Sequence, residues 1–160
     1  MTRLERTVDI FLDAINNGTL AKGTCVACAV GNLVAHGLNA KIKQYPNKTF
    51  GCSKNNHFWR YLFITDNNIQ KRNKDIFYEK MLKGLTEYSI EELALIEYTF
   101  ETNTFISYIS YQDYTKEEVK QDQINGLSAV IELIKTFDEN KSFDIQKEFV
   151  DKVIYEKSLV

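Results

Sequence analysis

The chain has 160 residues, 44% of them hydrophobic and 26% charged, with a single proline and a formal net charge of -2. That length accommodates one domain with a substantial core, and the composition excludes extensive disorder. The isoelectric point of about 5.8 sits far from that of a typical nucleic-acid binder, yet it hides an asymmetry. Residues 38–83 carry ten basic and three acidic side chains, and residues 84–160 carry seven basic and sixteen acidic ones.

No run approaches the roughly 20 apolar residues needed to span a bilayer. The first amphipathic segment is too charged for a signal peptide, with Arg3, Glu5, Arg6, Asp9 and Asp13. A cytoplasmic protein is expected.

Thr2 and Glu5 have the spacing of a capping box and open a helix whose apolar positions are Leu4, Val8, Phe11, Leu12 and Ile15. Asn17-Gly18 should end it, because glycine accepts the left-handed cap conformation. Thr24 is the expected N-cap of a second helix that runs to about His36 and stops at Gly37. Gly31, inside that helix, points to close backbone packing.

Residues 38–56 are irregular and rich in lysine, and they surround Pro46. A loop of that length is often functional or tied down. Phe58 to Ile64 is aromatic and apolar on both faces, which suits a short buried strand or helix. Ile69, Ile76, Phe77 and Met81 mark a further helix that Gly84 should end. Ser89 and Glu92 form a second capping box, ahead of Leu93, Ile96, Glu97 and Phe100.

Residues 104–111 are β-branched and aromatic, and their propensity favours a strand, but the alternation is imperfect and continuation of the preceding helix is the alternative. Thr115 and Glu118 form a third capping box for a helix striped by Val119, Ile124, Leu127, Ile131 and Ile134. Ile145, Phe149, Val150, Val153 and Ile154 mark a last helix, capped by Ser142 or Asp144. The expected fold is all-α, with six to seven helices in a single domain spanning 1–160. Short strands or a minor hairpin are allowed for at 58–64 and 104–111.

Chemistry concentrates in Cys25-Val-Ala-Cys28-Ala-Val-Gly-Asn32. Cys25 and Cys28, joined by Cys52 and His57, supply three thiolates and one imidazole, a set that fits a tetrahedral zinc shell. The competing reading makes Cys25 and Cys28 small apolar core residues. A third reading uses a helix N-terminus to activate one thiol for redox or nucleophilic chemistry. Cys25, Asn32 and His36 do not form a catalytic triad, because eleven residues of helix separate the first from the last by roughly 16 Å.

Other chemistries have weaker marks. Lysines interleaved with Tyr45, Phe50, Phe58, Trp59, Tyr61 and Phe63 suit stacking and phosphate contacts on nucleic acid. The alternative is a core of aromatics beneath solvated lysines. Glu97 lies in the apolar stripe of its helix, either as an edge residue or as a buried, partnered carboxylate, and one carboxylate without a partner does not make an acid–base site. Phosphate-binding glycine loops are absent from the sequence.

The octapeptide resembles that of a group of small bacterial and phage-borne proteins that carry Cys-x2-Cys-Ala-Val-Gly-Asn after a first helix. The resemblance extends to Trp59, to Tyr88–Phe100 and to Gly126–Glu132. It implies that the octapeptide is a shared feature and implies no particular activity. The reading that follows is a non-enzymatic protein-binding or regulatory module, phage-associated, with an unidentified protein as partner and no membrane. A zinc-bearing or thiol-dependent protein using Cys25 and Cys28 is the alternative, and nucleic-acid binding through the basic middle is the third.

Overall fold

A computed structural model of the chain describes residues 1–23, 27–39 and 76–155. Its elements are α1 (Arg3–Asn17), α2 (Ala29–Gly37), α3 (Ile76–Thr86), α4 (Ile90–Thr102), a 3-10 helix (Tyr108–Asp113), α5 (Lys116–Glu139) and α6 (Ile145–Glu148), which continues as a π-helical segment (Phe149–Tyr155). The fold is all-α. Among the described residues the extended pairing amounts to one isolated bridge between Lys22 and Ser107. The short strand allowed for at 104–111 does not form: residues 104–106 carry no regular structure, Ser107 makes the isolated bridge, and a 3-10 helix begins at Tyr108. The expectation for 58–64 lies outside the described residues.

All three capping boxes form. Thr2, Ser89 and Thr115 each accept the N–H of the residue three positions on, and the glutamate there reaches back to the cap. Gly18 closes α1 in the left-handed conformation, at φ 70°. Asp144 caps α6 by accepting the Lys147 N–H.

α3 does not stop at Gly84. A Cβ at Gly84 would meet open space, and the helix runs on to Thr86. Its end is set by side-chain bonding instead: Thr86 Oγ1 donates to the Leu82 carbonyl at 2.7 Å and accepts the Tyr88 N–H at 3.2 Å. Glu87 then turns the chain with φ 66°, a conformation that side-chain-bearing residues rarely adopt.

α4 is the central helix. Ile90 to Ile96 are all buried, as is Phe100, so its circumference is enclosed rather than amphipathic. Phe11 of α1 meets Phe100 edge-on, with ring centroids 6.4 Å apart. The core continues through Val30, Leu33 and Val34 of α2, Leu82 of α3, and Leu127, Val130 and Ile134 of α5.

Two glycines permit the closest helix approaches. A Cβ on Gly126 would lie 2.6 Å from Thr104 Cγ2 and 2.8 Å from the Phe100 ring, and one on Gly37 would lie 2.5 Å from the Leu85 carbonyl oxygen. The expected stripes are partly redrawn. Leu12 and Ile124 are exposed, while Thr7, Ala14, Asp122 and Gln123 occupy the buried faces of α1 and α5.

Arg3 ties these layers together from the first turn of α1. Its guanidinium donates to Asp138 Oδ1 at 2.7 and 3.0 Å, to Glu92 Oε2 at 2.8 Å and to the Glu87 carbonyl at 3.1 Å. It also lies 4.7 Å from the centroid of the Tyr88 ring. Arg6 pairs with the Glu87 carboxylate. The left-handed turn at Glu87 is thus held on its carbonyl and its side chain by α1.

Candidate functional site

The described part of the octapeptide, Ala27 to Asn32, leads into α2 and supplies its first turn. Cys28 is extended, at φ -69° and ψ 176°, and is itself the N-cap of α2: its sulfur accepts the Gly31 N–H at 3.3 Å. The expected start at Thr24 is corrected by this geometry. The Ala27 carbonyl is already engaged, accepting the Ala21 N–H at 2.8 Å, and Ala27 and Cys28 lie in a turn ahead of α2 instead of in its first turn.

Asn32 fixes that turn from below. Its buried amide nitrogen donates to the carbonyls of Thr19, Ala27 and Cys28, each at 3.0 Å. Two amide hydrogens serve three acceptors, so one bond is shared. The asparagine of the octapeptide is therefore a structural clip between the end of α1 and the start of α2.

The N-terminus of α2 faces α4. Glu97 Oε2 accepts the Val30 N–H at 3.0 Å, placing a carboxylate where the helix leaves a backbone donor without an intrahelical acceptor. One turn further along α4, Glu101 Oε1 accepts the Gly23 N–H at 3.3 Å. Lys22 caps the end of α4, donating to the carbonyls of Glu101 and Thr104. The entry loop and the second half of α4 are thus laced together by reciprocal caps.

This arrangement sets the protonation of the site. Burial, then the charge of Glu101, pushes the Glu97 carboxyl up to about 8, against the opposing pull of the Val30 N–H. Glu97 shares hydrogen bonds with both Glu101 and Cys28. Burial, then the charge of Glu97, also pushes the Cys28 thiol well above its ordinary value, although the Gly31 N–H pulls the other way. Cys28 is held neutral near physiological pH, the opposite of the condition a thiolate nucleophile needs.

Of the four candidate metal ligands, Cys28 alone lies within the described residues. Cys25, Cys52 and His57 lie outside them, as do the basic residues from Lys41 to Lys54 and the aromatic segment that follows. Among the described residues no group of three or more histidine, cysteine, aspartate or glutamate side chains is arranged to hold a metal ion. His36 is exposed in the last turn of α2, eight residues or about 12 Å along the axis from Cys28, too far to act on its sulfur.

Sequence reasoning marked Glu97 as a polar intruder in an apolar stripe. It missed Glu101, whose signal is its position one turn later on the same face. It also missed Asp122 and Gln123. The buried Asp122 carboxylate accepts the N–H groups of Phe105 at 2.9 and 3.1 Å and of Ile106 at 2.9 Å, fixing the segment after α4. Their signal is the i-4 relation to Gly126 and Leu127, which puts both on the face that packs inward.

No family model, curated protein or solved structure matches the chain. No helix among the described residues is long and apolar enough to cross a membrane.

Proposed function

We propose that the chain is a non-enzymatic binding or regulatory module that acts through protein contacts. The observation that carries this reading is Phe105, which is 88% exposed while its backbone is gripped by Asp122. A large aromatic side chain held outward on a fixed backbone suits an interface anchor, because little conformational freedom remains to be lost on binding. Ile109, four residues on, is 68% exposed and adds apolar area on the same connection between α4 and α5.

The neutral, buried thiol of Cys28 weakens the thiol-nucleophile alternative. The resemblance of the octapeptide to phage-borne proteins is compatible with a regulatory binding role. The test is co-purification of the tagged chain alongside Phe105→Ser/Ile109→Ser. A partner retained by the wild type and lost by a variant of unchanged melting temperature is the expected result. Equal recovery by both proteins, or no recovered partner, would overturn the reading.

A further inference from the structure

A cleft of about 700 Å³ opens between the end of α1, the 3-10 helix and the first turns of α5, away from Cys28, Glu97 and Glu101. Its apolar wall is Ile15, Leu20 and Val119, with Tyr111 and Tyr114 beside it. Lys116 and Lys120, one turn apart on α5, bring two positive charges to it, and no aspartate or glutamate lines it. Residues 84–160 hold sixteen acids against seven bases, so this cleft is cationic within the acidic half of the chain. The neighbouring Glu118 is turned back onto the Thr115 N–H at 3.1 Å; Asp113 and Glu117 flank the cleft without lining it.

Gln123 supplies a polar handle. It lines the cleft and is only 4% exposed. Its amide nitrogen donates to the Leu20 carbonyl and, at 2.9 Å, to Tyr111 Oη. The Leu20 carbonyl can only accept, so this contact fixes the amide orientation and leaves Oε1 as the acceptor. Among the described residues Oε1 accepts no hydrogen bond and is not fully enclosed, so an amide oxygen on a largely buried side chain remains for a ligand's donor.

We propose that this cleft binds a small anionic amphiphile: an apolar or aromatic body with one carboxylate or sulfonate and one N–H or O–H donor. The body covers Ile15, Leu20 and Val119, the anion meets Lys116 and Lys120, and the donor meets Gln123 Oε1. A cleft with an apolar wall and a few placed polar groups is the usual form of a small-molecule site.

8-Anilinonaphthalene-1-sulfonate has all three features and serves as the probe. Fluorescence titration of the full folded chain should give saturable binding at one site per chain. Lys116→Glu/Lys120→Glu, both at exposed positions, should weaken it about tenfold while the circular dichroism spectrum is unchanged. N-phenyl-1-naphthylamine, which keeps the aromatic body and the N–H but lacks the charge, should bind the wild type about tenfold more weakly. That comparison needs no variant and stands if the double substitution unfolds. Absence of saturable binding, equal affinity for the neutral probe, or unchanged affinity in a folded double variant would each overturn the proposal.

Discussion

Replacing Glu97 with glutamine tests the proton held between α2 and α4. Glutamine keeps an oxygen for the Val30 N–H, 3.0 Å away in the wild type, and cannot ionise. The wild-type carboxyl titrates near the ordinary carboxylate range when unfolded and at about 8 when folded. Below about pH 4.5 both states are protonated, and the group contributes no pH dependence. As pH rises toward 8 the unfolded state has released its proton and the folded state retains it, so stability falls. The limiting slope for one such proton is about 1.4 kcal/mol per pH unit. Glu97 is only half-buried as a residue, and solvent screening reduces the total to about 2 kcal/mol or more across the window. Above about pH 8 the two states carry the same charge at this position and the penalty levels off. Urea unfolding followed by circular dichroism from pH 4.5 to 9 measures the effect. Glu97→Gln should gain stability relative to the wild type from about pH 4.5 to about 8 and hold that gain up to about pH 9. Parallel stability curves for the two proteins would refute the reasoning.

Three further outcomes follow from the packing. Asn32→Ala removes three bonds at 3.0 Å to buried carbonyls and should cost about 2–3 kcal/mol in chemical denaturation. Gly126→Ala sets a methyl within 2.8 Å of the Phe100 ring, which is fully buried. It should cost about 1–3 kcal/mol despite the better helix propensity of alanine, read as a lowered melting temperature. Cys28, neutral and buried, should react with iodoacetamide at neutral pH only as fast as the chain opens. Peptide mapping after timed labelling would show this as protection that vanishes in urea.

The three capping boxes were readable because each is settled within four residues: Thr2 with Glu5, Ser89 with Glu92, Thr115 with Glu118. The all-α character followed from periodicity for the same local reason. The start of α2 was not readable, because it depends on Ala21 reaching Ala27 and on Asn32 reaching back to Thr19. Glu97 showed its oddity in the sequence but not its partner, since an N–H at the head of another helix carries no side-chain signature. The end of α3 was misplaced because Gly84 permits a stop without compelling one, whereas Thr86 and Glu87 enforce it through contacts on both sides of the turn. The segment 104–111 has strand-like composition, but the described residues offer it a single bridging partner, Lys22, and Asp122 takes two of its N–H groups.

The reach of Arg3 bears on the order of assembly. The first turn of the chain closes on Glu87, Glu92 and Asp138, the last of these 135 positions away. Such a closure is entropically expensive until the intervening helices have shortened the path. During synthesis α1 emerges before its anchors, so its apolar face, with Phe11 and Ile15, must wait for α4 and α5. A nascent chain halted before Asp138 should therefore leave α1 exchanging its amide hydrogens as quickly as an isolated peptide. One that extends past Asp138 should protect them, making Arg3 the latch that registers arrival of the last turn of α5.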